Sequence, residues 1–373
     1  MPLSFDLFCR VIDNYGDIGV CWRLARRLAS RPDTGPIRLW VDDLAAFAHI
    51  APSVQTDALV QAVEGIEIRH WVDQAPADVE PADVIVEAFA CTLPPEYVAG
   101  ITRRHLWINL EYLSAEEWVE SCHGRPSLQA GGQRKFFFFP GFTAATGGLL
   151  REPELGAQRD AWQADPEARM ALLSRLGVSP SWLERLRAGA RLVYVFCYPE
   201  APLSALIAAL SLDERDTLVL MPEGVAPPIL PAVEARPGRV GVHTHAFVDQ
   251  PIFDRVLWSA DLNLVRGEDS LVRAIWAGRP MIWQAYRQEE GTHLDKLDAW
   301  LARAPYGPEF CALNRAWNEG DDKSVIEQLP RLLNAPQWGV WQEQALAWRA
   351  ALESRNDLAD NLMSFCTEQA QTR

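Results

Sequence analysis

The sequence predicts an α/β protein made of two Rossmann-like, doubly wound domains facing a central cleft. Three observations predict it. Strand-like runs of β-branched and aromatic residues alternate with helical patterns, which signals parallel sheets with crossover helices. The alternation stops over a polar, strandless stretch from about 151 to 180 and restarts at Arg191. The chain has 373 residues, well above the ~150 of a typical domain, so two domains are expected.

In the first half the strand-like runs are 5–11, 37–41, 66–71, 84–89, 106–110 and 136–139, the last a four-phenylalanine run that reads as a fully buried strand. Between them lie helical patterns at 18–29, with Val20, Leu24 and Leu28 on one stripe, and at 116–121. The second set of strands is 192–196, 218–221, 240–245, 262–265 and 281–284. After Gly291 the chain reads as helical, finishing in one long amphipathic stretch from about 340 to 369. The expected domains are 1–180, 181–345 and a C-terminal helix, 346–373, free either to stay with the second domain or to pack back on the first.

Composition narrows the function. With 49% hydrophobic and 23% charged residues the chain is ordinary globular material. Fifty acids against 35 bases give a net charge of −15, a field that repels phosphate backbones and argues against nucleic-acid or anionic-membrane binding. Seven scattered cysteines without a C-x-x-C pair read as free thiols of a reducing compartment. The first residues lack a basic n-region, and the longest uncharged stretch, 136–150, is broken by Pro140, Gly141, Gly147 and Gly148. It is also shorter than the ~20 residues of a membrane helix. A cytoplasmic protein is expected.

Chemistry concentrates in two places. The loop after the first strand carries Asp13 and Asp17 around the turn Asn14-Tyr15-Gly16. Carboxylates at a strand's C-terminal end could act as a general base or grip a cationic substrate; equally, Asp17 could cap the next helix and Asp13 hold an Asx-turn. Later, a buried strand ends in Arg266-Gly267, Glu268-Asp269-Ser270 opens a helix, and Gly278-Arg279-Pro280 closes it. A helix N-terminus suits a diphosphate, with Gly267 permitting close approach, Ser270 adding a hydroxyl and Arg266 a charge. An ordinary capped helix is the plainer reading. Phe196 and Tyr198 share one side at the end of a strand, and Phe247 and Gln250 end another, where a base could stack; core and loop packing compete. His243 and His245 lack a third ligand nearby, His293 reads as a helix-surface residue, and no D-x-D occurs, so no metal is expected. Dehydrogenases, periplasmic binders and GT-B glycosyltransferases share the two-domain plan. The first strand is not followed by G-x-G-x-x-G, which weakens the dinucleotide reading.

The segment Ile12-Asp13-Asn14-Tyr15-Gly16-Asp17-Ile18-Gly19-Val20-Cys21-Trp22-Arg23 resembles the opening of the EarP family, the bacterial arginine rhamnosyltransferases of translation elongation factor P. Further matches are Leu39-Trp40-Val41-Asp42-Asp43, Asn109-Leu110-Glu111-Tyr112-Leu113-Ser114, Phe137-Phe138-Phe139-Pro140-Gly141, Thr146-Gly147-Gly148 and Val265-Arg266-Gly267-Glu268-Asp269-Ser270, in order from about 5 to 300. The resemblance implies a GT-B fold and inverting, metal-independent transfer of L-rhamnose from dTDP-β-L-rhamnose to one arginine of elongation factor P, in support of polyproline translation. It implies no cofactor beyond that donor. By position, Asp13 and Asp17 would be catalytic, Asp17 the general base. Asn14, Tyr15, Gly16, Phe196, Tyr198, Phe247, Gln250, Phe253, Arg266, Gly267, Glu268, Asp269 and Ser270 would bind the donor. Asp249 and Arg287 stand where the family usually has proline. The alternatives are a GT-B enzyme with a small or lipid-linked acceptor and a non-catalytic nucleotide-sugar-binding regulator.

Overall fold

The structure, a computed structural model, describes residues 2–12, 15–71, 79–225, 238–288 and 291–371. The chain divides into two compact units, Met1–Pro153 with Ser354–Arg373, and Glu154–Glu353.

The first unit holds an eight-stranded sheet: β1 (Leu3–Cys9), β2 (Thr34–Val41), β3 (Val60–Val63), β4 (Ile66–His70), β5 (Val84–Ala88), β6 (Leu106–Leu110), β7 (Pro126–Leu128) and β8 (Arg134–Phe138). Their order is β3-β4-β2-β1-β5-β6-β8-β7. The inner six strands are parallel, and β3 and β7 pair antiparallel on the edges. Strand order therefore reverses between β1 and β5, the switch point at which α/β sheets receive ligands. One face buries Phe8, Trp40, Trp71, Ile85, Tyr97 and Trp107, with Phe8 stacked on Trp40 at 5.2 Å. Asp6 is buried beside them, and it accepts from Arg38 Nε and Nη2 at 2.6 Å each, Trp40 Nε1 at 3.0 Å, the Ala82 N–H at 2.9 Å and the Tyr97 hydroxyl. A buried charge is tolerated when its lone pairs are filled in this way.

The second unit holds β9 (Arg191–Phe196), β10 (Thr217–Pro222), β11 (Val240–His245), β12 (Leu262–Arg266) and β13 (Met281–Gln284) in the order β11-β10-β9-β12-β13. All pairings are parallel, and the switch point falls between β9 and β12.

Several boundaries differ from the sequence reading. The first unit stops at Pro153 rather than 180, because helix Leu155–Gln163 is bonded into the second. There Arg159 donates to the Trp276 carbonyl at 2.9 Å, Trp162 to Ser259 Oγ at 3.0 Å and Gln163 to the Ala277 carbonyl at 3.0 Å. The stretch from 340 to 369 is two helices, Gln337–Glu353 and Leu358–Gln371. The break lies where Asp357 accepts from the N–H groups of Ala359 at 2.7 Å and Asp360 at 3.0 Å, a side-chain N-cap. The residues returning to the first unit thus begin at Ser354, not 346. Arg27 donates to Asp357 at 2.8 Å and to Asp360 at 2.9 Å, while Phe365 packs on Phe136 and Phe138.

Strand ends also shift. β1 ends at Cys9 instead of 11, and β5 at Ala88, because Phe89 and Ala90 turn into left-handed backbone with φ of 56° and 55°. In helix Gly16–Ala29 the buried stripe runs through Ile18, Cys21, Leu24 and Leu28, leaving Val20 half-buried, and Phe137 is likewise half-buried. His293 is buried in helix Thr292–Arg303, not on its surface. Gln250 opens helix Gln250–Ser259, and Phe247 lies in the preceding loop rather than in β11. Among the described residues no helix is long and apolar enough to cross a membrane.

Candidate active site

In the first unit the site forms at the β1/β5 switch point. Asp17 is the second residue of helix Gly16–Ala29 and is buried, 2% exposed. It does not cap that helix. Its carboxylate reaches back to accept the Ile12 N–H at 2.8 Å, which ties the loop after β1 to the helix that follows. Asp42, just past β2, accepts the Val11 N–H at 2.8 Å, and Asp43 caps helix Leu44–Ile50 by accepting from Ala46 N at 2.8 Å. The Trp40-Val41-Asp42-Asp43 run thus braces the loop from the neighbouring strand. Tyr15 sits at the N-cap position and packs edge-on against His49 at 5.6 Å. Behind the loop lies the buried Cys9 thiol, pushed up by burial, by Cys21 and by the nearby Asp17 and Cys91. Asp13 and Asn14 lie outside the described residues.

In the second unit the residues singled out in the sequence converge at the β9/β12 switch point. Arg266 ends β12, and its guanidinium carbon lies 4.9 Å from the Phe196 ring centre and 4.6 Å from that of Tyr198. These are cation–π distances. Phe253 meets Phe196 edge-on at 5.1 Å, and Phe247 is 6.5 Å from the same ring. The Tyr198 N–H donates to Gln284 Oε1 at 2.8 Å. Asp249 caps helix Gln250–Ser259, accepting from Ile252 N at 2.9 Å, so aspartate starts this helix itself. Gln250 is buried, 4% exposed. A buried bidentate pair, Arg273 to Asp254 at 2.9 and 2.7 Å, joins this helix to helix Asp269–Ala277.

Gly267 has φ +59°, a left-handed backbone that its lack of Cβ permits, and its carbonyl accepts the Trp283 indole N–H at 2.8 Å. Glu268 is the N-cap residue and Asp269 the first residue of the helix. The Ser270 hydroxyl is engaged by the strand that precedes it. Its hydroxyl donates to the Arg266 carbonyl and accepts the Arg266 N–H at 3.2 Å. Ser270 therefore fixes the strand end that carries the arginine. Among the described residues no group of three or more His, Cys, Asp or Glu is arranged to hold a metal. His243 and His245 contact the carbonyls of Leu176 at 2.9 Å and Ala246 at 2.7 Å.

The family described as "Elongation-Factor P (EF-P) rhamnosyltransferase EarP" matches residues 5–367. The chain belongs to the EarP family. A protein-arginine rhamnosyltransferase of Pseudomonas putida is 44% identical, covering 98% of this chain and 99% of its own length. One from Pseudomonas aeruginosa is also 44% identical, covering 97% and 98%. The solved structure described as "Structural basis for EarP-mediated arginine glycosylation of translation elongation factor EF-P" aligns at 31% identity and TM-score 0.63, over 98% of this chain and 99% of that one. Arabidopsis thaliana UGT89C1 bound to UDP aligns at TM-score 0.55 and 11% identity over 99% and 100%, a likeness of fold, which is GT-B.

Two features of this EarP site were not singled out from the sequence. The bracing by Asp42 lay inside a quoted motif, but only the β1–β2 pairing reveals what it holds. The left-handed pair Phe89-Ala90 carried no glycine or asparagine signal. Its neighbour Asn109 accepts the Ala90 N–H at 3.1 Å and donates to Glu111 at 2.5 Å.

Proposed function

We propose that this protein transfers L-rhamnose from dTDP-β-L-rhamnose to the guanidinium of an arginine of translation elongation factor P, with inversion and without a metal. The observation that carries the reading is Asp17, a buried carboxylate held at a sheet switch point, in a chain that the elongation factor P rhamnosyltransferase family matches over residues 5–367. A guanidinium stays protonated at neutral pH and its lone pairs are delocalised, so it attacks poorly unless carboxylates polarise it. Asp17 removes a proton from the attacking nitrogen as the new N–C bond forms. The bond from the sugar to the diphosphate breaks in the same displacement, and the electron pair leaves on the diphosphate.

Arg266 and the partial positive charge at the N-terminus of helix Asp269–Ala277 are suited to that developing charge. Phe196, Tyr198, Phe247, Gln250 and Phe253 offer aromatic and amide edges to a pyrimidine base. The seven free thiols fit a reducing compartment, and we read the enzyme as cytoplasmic. The test is incubation with purified elongation factor P and dTDP-L-rhamnose, followed by intact-mass and peptide mapping. The expected result is a gain of one deoxyhexose on one arginine. No gain, or a gain on another residue type, overturns the reading.

A further inference from the structure

Glu111 directly follows β6 on the C-terminal edge of the first sheet, and its N–H donates to the Phe138 carbonyl at 2.9 Å. Its Oε1 accepts from Asn109 Nδ2 at 2.5 Å. Asn109 is itself buried and oriented, since its Oδ1 accepts the Ala90 N–H at 3.1 Å. That N–H is delivered by two consecutive left-handed residues, Phe89 and Ala90, with φ of 56° and 55°. Such backbone is uncommon for residues that carry a side chain, and the surroundings hold it: the Phe89 N–H donates to the Leu110 carbonyl at 2.7 Å, and the Phe89 ring stacks on Tyr112 at 4.4 Å.

The row Phe8, Glu87, Asn109 is in register across β1, β5 and β6. Glu111, two residues beyond Asn109, continues that face past the end of β6. Two inter-strand spacings, ~10 Å, separate its strand from β1, whose loop Asp17 ties down. Among the described residues Glu111 forms no ion pair. Lys135 is near enough to act on it, but its ammonium pairs with Glu87 at 3.2 Å. Burial pushes the Glu111 carboxyl above the usual range; Lys135 offsets part of this and Glu87 adds to it. A half-exposed carboxylate whose hydrogen-bond donor is a neutral amide gains from a cation brought to it.

We propose that Glu111 receives the acceptor arginine, its carboxylate taking charge-assisted hydrogen bonds from the guanidinium while Asn109 and the Phe89-Ala90 turn act as positioning residues. The proposal rests on the reading under Proposed function. Glu111→Gln keeps the shape and removes the charge, and Glu111→Asp keeps the charge and shortens the reach. Both are compared with the wild type for KM toward elongation factor P, KM toward dTDP-L-rhamnose, kcat, and dTDP affinity by calorimetry.

In Glu111→Gln, kcat/KM for elongation factor P is expected to fall on the order of 10- to 100-fold, the worth of a charge-assisted hydrogen bond. The loss should lie mainly in the acceptor KM, with dTDP affinity and melting temperature unchanged. Glu111→Asp should recover part of it, and it carries the test alone if the glutamine variant does not fold. Acceptor kcat/KM within threefold of wild type in the folded variants overturns the role of Glu111 while leaving the rhamnosyltransferase reading intact. An equal loss toward donor and acceptor makes Glu111 structural and also overturns it. Failure of the wild-type protein to modify the arginine overturns both.

Discussion

The guanidinium of Arg266 lies over the ring of Tyr198, 4.6 Å from its centre. The same guanidinium is 4.9 Å from Phe196, so one cation is held between two aromatic faces at the end of β12. Replacing it separates charge from shape. Arg266→Lys keeps the charge but loses the planar group, and should weaken dTDP binding about tenfold. Arg266→Met loses both and should weaken it about 100-fold. Calorimetric titration with dTDP measures each, and equal affinities for wild type and Arg266→Met would remove Arg266 from the donor site.

Ser270 serves Arg266 through the backbone, donating to its carbonyl and accepting its N–H. Ser270→Ala should destabilise the second unit by about 1 kcal/mol, the usual net worth of a hydrogen bond. It should also weaken dTDP binding severalfold by loosening the strand end. Urea denaturation and the same titration report the two effects. A large loss of affinity with no loss of stability would mean instead that the hydroxyl meets the donor directly.

Asp17→Asn keeps an oxygen able to accept the Ile12 N–H, so the loop should stay in place. The residue can no longer take a proton. Turnover should drop on the order of 100-fold or more, with dTDP affinity and melting temperature close to wild type. Stopped-time mass analysis of elongation factor P follows the reaction, and near-normal turnover would move the base elsewhere.

His123 gives a pH prediction. Its Nδ1 accepts the Phe139 N–H at 3.0 Å, which requires a neutral ring, and burial lowers its pKa. The unfolded chain takes up a proton near the ordinary value of ~6.5 while the folded one resists. The stability His123 confers is therefore complete above ~6.5 and is lost as pH falls below it. His245 shifts in the same direction, also by burial, and adds to the slope. Unfolding free energies between neutral and mildly acidic pH should fall, and His123→Asn should flatten the curve.

The parts of the fold legible in the sequence are those whose signal is local. The inner strands of the first sheet and those of the second stand out by composition: β5, β6, β10 and β13 are buried throughout and read as continuous apolar runs, while β4, β8 and β11 alternate buried with half-buried positions. The edge strands β3 and β7 do not. Each is short and mostly exposed, and each is created by pairing with the next strand across a turn. The meeting of Arg266 with Phe196 and Tyr198 was legible in part, because the two aromatics share one side where β9 ends and Arg266 ends a strand just before Gly267. The occupation of Ser270 by its own strand was not, since spacing alone cannot tell which of two acceptors a hydroxyl faces. The same holds for Asp17, where capping and loop-bracing have identical sequence signatures. The extent of the first unit was legible only in part, because long-range partners such as Arg27 and Asp357, 330 residues apart, leave no periodic trace.

That same ion pair sets an order of events during synthesis. Arg27 emerges from the ribosome early, and its carboxylate partners at Asp357 and Asp360 belong to the last helix made. The second unit, Glu154–Glu353, is fully translated before the first has all of its residues. The first unit must wait with an unmatched arginine and with Phe136 and Phe138 uncovered until Phe365 arrives. A nascent chain stalled just before Ser354 therefore holds every residue of the second unit while the first is still unfinished. The unit that holds Asp17 is thus completed only at the end of translation.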